Sequence, residues 1–182
     1  MSRAWRPRRT VAKGGGPGSD RFASLGTMAR PVARNRRVGR DELLAFVAPR
    51  HHGILVTTRR DGRPQLSPVT MGLDGQTIVV STYPERAKAR NAKRNPAASI
   101  CVLSDDFGGE WVQVDGRIEV VEGPEAIEAL VRYYRAISGE HPDWEEYRAA
   151  MVAQGKVLLA LSIEDWGPIS RGGFPARLAQ AD

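Results

Sequence analysis

The sequence predicts a mainly β protein with helices: a small antiparallel barrel, closed or half-open, with helices packed on its outside. Three observations carry this. Six segments are strand-like, and the first three are joined by Asp61-Gly62 and Asp74-Gly75, two-residue hairpin signals. Such turns argue against a doubly wound parallel sheet, whose strands need long crossovers. Finally, 182 residues, 41% of them hydrophobic, suffice for one ordinary domain with its own core.

The elements follow in order. Asp41 to Val47 reads as a short amphipathic helix with its acids in the first turn. Residues 52–59 form the first strand, and residues 63–72 return as the second. Pro64 and Pro68 confine that second strand to a sheet edge or a bulge, because proline cannot donate to the ladder. Gln76 to Thr82 is the third strand. Pro84 to Arg94 reads as a helix with proline in its first position, stopped by Asn95-Pro96. Ala98–Leu103 and Trp111–Val121 are strands, Gly123–Ser138 and Trp144–Gln154 are helices, and 156–163 is the last strand.

Charge divides the chain unevenly. Residues 1–40 carry eleven basic side chains against the single acid Asp20, while the remainder is net acidic. The sequence pI of about 10.0 therefore belongs to the N-terminal segment. Its Lys13-Gly-Gly-Gly-Pro-Gly-Ser19 stretch has no apolar periodicity, so residues 1–38 read as a disordered basic leader. Nucleic-acid binding through this leader is not expected. Arg8-Arg9 is not followed by the apolar run of an export signal. Met28 reads as an alternative start. Residues 39–166 are expected to form the barrel domain and 167–182 a tail. No 18-residue apolar run exists, which excludes a membrane-spanning helix. The single Cys101 excludes an internal disulfide, suits a reducing cytoplasm, and reads as a buried apolar filler.

The chemistry concentrates in Val79–Asn91. A strand ends in the hydroxyls of Ser81 and Thr82, and the following helix carries Arg86, Lys88 and Arg90 near its start. Cations there oppose the helix dipole, so an anion, most naturally a phosphate, would relieve the crowding. The same spacing, Arg86, Arg90 and Lys93, also describes a solvated basic face. No metal site is expected: His51-His52 lacks a partner at ligand spacing and His141 stands alone. Neither a Gly-x-Ser-x-Gly elbow nor a Rossmann glycine motif is present.

Three segments carry a family resemblance. Gly53-Ile-Leu-Val-Thr-Thr-Arg-Arg-Asp-Gly-Arg-Pro-Gln-Leu-Ser67 resembles the first hairpin of the pyridoxamine 5′-phosphate oxidase-like split β-barrel oxidoreductases. Pro84–Asn91 with Asn95-Pro96-Ala-Ala-Ser99 resembles their phosphate-binding helix and next strand. Gly139-Glu-His-Pro-Asp-Trp-Glu-Glu-Tyr-Arg148 resembles the branch that uses the deazaflavin coenzyme F420. The resemblance spans about residues 40–163. It implies an FMN-binding-like split barrel of six antiparallel strands in Greek-key order, with flanking helices.

By the same resemblance, the cofactor phosphate sits against Ser81, Thr82, Arg86, Ala87 and Lys88. The ring lies against Leu55, Val56, Thr57, Gln65 and Ser67. A homodimer completes the site near Trp111 and Val112. Leu55 and Val56 equally fit an ordinary half-buried strand. The implied activity is hydride transfer between reduced F420 and an electron-poor conjugated small molecule. Tyr83 and His141 are candidate proton donors. FMN is the rival cofactor, and a non-enzymatic carrier of flavin or F420 the rival role. The deazaflavin's oligoglutamate tail favours a basic channel, for which Arg59, Arg60 and Arg63 are the candidates. The chain ends Ala176-Arg-Leu-Ala-Gln-Ala-Asp182, without the Arg-Leu-x-Pro of the vitamin B6 oxidases, which argues against that role.

Overall fold

A computed structural model describes residues 32–106 and 108–179. Most of the basic leader, including Met28, lies outside these residues. Strands β1 (Arg34–Arg36), β2 (His52–Thr58), β3 (Pro64–Thr70), β4 (Gly72–Asp74), β5 (Thr77–Thr82), β6 (Ala97–Leu103), β7 (Glu110–Val121), β8 (Val157–Trp166) and β9 (Ile169–Arg171) form one sheet. Helices α1 (Arg40–Val47), α2 (Ala87–Arg94), α3 (Gly123–Ser138), α4 (Trp144–Gln154) and the short α5 (Ala176–Ala179) accompany it.

The strand order is β3-β2-β6-β7-β8-β5-β4, all antiparallel. Its two ends are joined by the chain itself, because β3 runs into β4 through Met71 alone. A sheet whose first and last strands are consecutive must curl, and the fully buried Met71 marks the bend. This is the expected mainly β, barrel-like class. Pro64 and Pro68 sit on β3, whose named partner is β2, where a missing N–H is tolerated.

Alternation explains the two cores. On β2, β6 and β7 the inward residues Leu55, Ile100, Val102, Val112, Val114 and Ile118 fill the barrel, and α1 adds Leu43, Phe46 and Val47. Strands β5 and β8 are apolar on both faces. Val79 and Leu158 point outward against Ala126, Leu130 and Tyr133 of α3 and Met151 of α4. The amphipathic helices thus cover a sheet face that could not stand exposed.

Three boundaries depart from the sequence reading. Strands β1 and β9 pair with each other, and β9 also pairs with β7, so ordered structure extends beyond 39–166 on both sides. Three-residue strands built from Arg34-Asn-Arg36 and Ile169-Ser-Arg171 carry too little pattern to be read locally. The strand count among described residues is nine rather than six, because short β1, β4 and β9 are added. Helix α2 begins at Ala87, not Pro84. Tyr83–Arg86 instead forms a tight turn in which the Arg86 N–H donates to the Tyr83 carbonyl at 3.1 Å, with Pro84 in the second position that its ring favours. Helix α4 is stopped by Gly155 at φ 58°, a left-handed cap natural to glycine. Among the described residues, no helix is long and apolar enough to cross a membrane.

Candidate functional site

Two of the cavities lined by residues of α2 hold candidate residues read from the sequence. Ala87, Arg90, Asn91 and Arg94 recur at helical spacing, so they share one face. With Arg59, Arg60 and Gln65 of the β2–β3 hairpin and Lys93, they line a cavity of about 850 Å³. Lys88 lies about 100° further round the helix and lines a different cavity, of about 430 Å³. Its other walls are Pro68, Val69 and Thr70 of β3, Ser81 of β5, Tyr133 and Tyr134 of α3, Tyr147 and Met151 of α4, and Lys156.

The first, arginine-rich cavity has five cations on its walls and no acid. Arg59 pairs with Asp61 at 3.3 Å and Lys93 with Glu122 at 2.7 Å. Among the described residues, no ion pair joins Arg60 or Arg90 to an acid. Beneath it runs a polar network. Asn91 donates to the Thr57 hydroxyl at 3.1 Å, Thr57 donates to Gln65 at 3.2 Å, and Gln65 donates to the Ser67 hydroxyl at 2.7 Å. Arg94 donates to the Thr58 carbonyl and to Asn91 Oδ1, both at 2.8 Å. Thr57 is 1% and Asn91 7% exposed, so the network is dry at its centre. It ties helix to hairpin. Asn91→Ala would remove the donor to the Thr57 hydroxyl and an acceptor of Arg94, and losing hydrogen-bond partners of buried polar atoms costs about 1–3 kcal/mol. Urea unfolding should show that loss, and an unchanged midpoint would remove the network as a structural tie.

The second, lysine–tyrosine cavity also has no acid on its walls. Burial, reinforced by the neighbouring Arg86 charge, holds the Lys88 ammonium below its usual range. An anion would restore it. The Tyr133 hydroxyl donates to the Thr70 carbonyl at 3.1 Å, and Tyr147 to the Leu130 carbonyl at 3.1 Å. Burial raises both phenols, Tyr147 to about 12 with further help from Tyr133 and Tyr134. These hydroxyls stay protonated and are committed to the backbone, so they shape the wall rather than supply protons.

The structure sorts the sequence candidates. Ser81 and Lys88 meet in the lysine–tyrosine cavity, whereas Gln65 and Ala87 line the arginine-rich one. Thr57, Gln65 and Ser67 share a hydrogen-bonded face, with Thr57 directly opposite Gln65 and Leu55 opposite Ser67. Leu55, at 2% exposed, belongs to the barrel core, and Val56 projects to the opposite face. Thr82 is buried, and Arg86 is an exposed residue capping α2. Val112 points into the core, while its neighbour Trp111 is 39% exposed.

Neither proton-donor candidate lines the two cavities. Tyr83 donates to Gln154 at 3.3 Å and presents its ring to the Lys156 ammonium, 5.4 Å from the centroid. His141 packs among Tyr134, Trp144 and Tyr147, and its Nδ1 accepts from the Asp143 N–H at 3.0 Å. Cys101 is half-buried on the opposite face of β6 from Ile100 and Val102, not in the core; burial still raises its thiol. Its position mid-strand hid that parity. Among the described residues, no group of three or more His, Cys, Asp or Glu could hold a metal.

Sequence reasoning missed Thr70, Tyr133, Tyr147 and Lys156. The tyrosines were placed on helices, but which face of α3 and α4 meets the sheet is a tertiary fact. The basic hairpin was legible: Arg59 and Arg60 do line a basic cavity, whereas Arg63 folds back on Asp61 at 2.8 Å.

Comparison with known proteins agrees with this architecture. A curated relative, the F420H(2)-dependent biliverdin reductase of Mycobacterium tuberculosis, is 32% identical over 106 residues, covering 57% of this chain and 75% of that protein. A conserved hypothetical protein of the same species superposes with a TM-score of 0.62 at 23% identity, over 74% of this chain and 86% of the other. An F420 reductase superposes with a TM-score of 0.53 at 23% identity, over 68% and 94%. The pyridoxamine 5′-phosphate oxidase family matches residues 40–170, most of the described structure, and the chain belongs to that family.

Proposed function

We propose that the protein is an oxidoreductase that uses coenzyme F420, transferring a hydride between the reduced deazaflavin and an electron-poor conjugated organic molecule, an enone or quinone in kind. One observation carries this reading: Ser81 and Lys88 converge on a cavity walled by three tyrosines and free of acids. A donor set of one hydroxyl and one ammonium group suits a phosphate, and the aromatic walls suit a flat heterocycle. The name of the curated relative supports both the cofactor and a conjugated substrate.

When bound, the deazaflavin supplies the hydride chemistry. The chain's own residues do the rest. Lys88 and Ser81 hold the phosphate, and Arg86, exposed beside them, adds positive potential. Arg59, Arg60, Arg90, Lys93 and Arg94 offer five cations to the carboxylates of the oligoglutamate tail. Tyr133 and Tyr147 fix the aromatic wall and keep water from one side. Tyr133 and Tyr147, committed to carbonyls, would not supply the proton that completes reduction. A second copy of the chain completes the site, drawn to the exposed Trp111 and to the edge strand β3 with its exposed Leu66.

The test is a fluorescence titration of the protein with F420, FMN and FAD, followed by turnover with menadione as acceptor. F420 should bind most tightly, and reduced F420 should be consumed. Tighter binding of FMN would transfer the reading to a flavin enzyme. Tight F420 binding without turnover of any acceptor would make the protein a carrier. Binding of none of the three would end the proposal.

A further inference from the structure

The lysine–tyrosine cavity does not end at Lys156. A third cavity, of about 580 Å³, shares Met151 and Lys156 with it. Its walls are mostly apolar, among them Pro84, Ile127, Val152 and Val157. Val152 is 65% exposed, a large apolar side chain left uncovered at the rim. Two acids, Glu122 and Glu128, also line it, but each is already engaged. Glu122 pairs with Lys93 at 2.7 Å and Glu128 with Arg148 at 2.7 Å.

Lys156 is different. It is half-buried between the two cavities, and among the described residues it has no acidic partner. Its ammonium is steered by the Tyr83 ring, 5.4 Å from the centroid. A cation withdrawn from water without a counter-charge is costly, and an incoming anion offsets that cost. Met151, unbranched and adaptable, is the other shared wall, so a long ligand can displace it without forcing the backbone.

We propose that Lys156 sets the substrate class of this site. It takes the acid group of an elongated conjugated organic acid whose apolar body lies along Ile127, Val152 and Val157 and whose conjugated part reaches past Met151 toward the lysine–tyrosine cavity. This deepens the redox reading, and rests on it for what happens to the bound acid. The alternation of cation and apolar surface selects against neutral hydrophobes, which gain the apolar contact alone, and against small anions, which gain Lys156 alone.

The experiment uses the full chain without cofactor and two fluorescent probes of one shape. The anion is 1-anilinonaphthalene-8-sulfonate; the neutral analogue is N-phenyl-1-naphthylamine. Lys156→Gln should weaken the sulfonate about tenfold or more, the scale of one charge-assisted hydrogen bond, and leave the neutral probe unchanged. Lys156→Arg should restore the sulfonate. Val152→Glu, at an exposed rim position, should weaken both probes. Matching thermal melts will show that the variants are folded. Unchanged sulfonate affinity in Lys156→Gln, or an equal loss of both probes, would overturn the proposal. So would loss of F420 binding in Lys156→Gln, since Lys156 would then belong to the cofactor. Failure of the unaltered protein to bind F420 is a separate outcome: it ends the redox reading, and the probe comparison still decides whether Lys156 selects acids.

Discussion

Lys88→Ala should weaken F420 binding by roughly 10- to 150-fold, the equivalent of about 1.5–3 kcal/mol for one charge-assisted hydrogen bond to a phosphate. The fold should survive, because among the described residues Lys88 has no ion pair to lose and alanine is a better helix former. Lys88→Arg should recover part of the affinity, since the charge returns but the compact ammonium does not. The pH dependence gives a second readout. The phosphate needs the protonated ammonium, and burial together with Arg86 lowers the Lys88 pKa from 10.5. Affinity should therefore fall with rising pH at a lower pH than an ordinary lysine would give. The alanine variant should lack that step. A titration showing equal affinity for wild type and Lys88→Ala would move the phosphate away from this cavity.

Gly116→Ala should be the most damaging glycine-to-alanine substitution in the barrel. Strand β7 is the longest, and its pairing with β8 slips in register between Asp115 and Gly116. Such a bulge brings two backbones together. A Cβ on Gly116 would lie 3.0 Å from the Ser162 carbonyl carbon and inside the contact radius of its oxygen. Both partners are backbone, so no side chain can swing away. Overpacking of this kind costs about 3 kcal/mol or more. For a domain of this size that corresponds to a fall in melting temperature of roughly 6–12 °C. Gly62→Ala tests a different cost, since that turn has open space around it and only its φ of 81° resists a side chain. A Gly116→Ala protein that melts with the wild type would mean that the bulge relaxes freely.

The long elements were legible because their patterns are long. Gly123–Ser138 and Trp144–Gln154 carry their own caps: Pro124 in the first turn of one, Asp143 accepting from Glu145 and Glu146 at the start of the other. Strands β2 and β3 were legible from Asp61-Gly62, where the Gly62 N–H closes the turn onto Arg59. The start of α2 was misread because proline favours both the first helical position and the second position of a turn. Only the Tyr83–Arg86 hydrogen bond decides between them.

The candidate site was half legible. Ser81, Lys88, Arg59 and Arg60 announced themselves by charge and by their place at the ends of a strand and a hairpin. Leu55, Val56 and Val112 did not, because alternation says that two faces exist and not which one faces a ligand. Thr57 looked like an orienting group for a ring, yet its hydroxyl is spent on Asn91 and Gln65.

By itself the sequence determined the antiparallel barrel class and the basic character of α2 and the hairpin, which follow from periodicity, turn chemistry and local charge, while the family was legible only through the resemblance of three segments. Only the tertiary structure decided that Lys88 and Lys156, far apart in the chain, meet across one tyrosine-walled cavity. It also separated Gln65 and Ala87 from Ser81 and Lys88. The physical reason is that a side chain's direction depends on which neighbour covers its face, and that neighbour is chosen by the curl of the sheet at Met71.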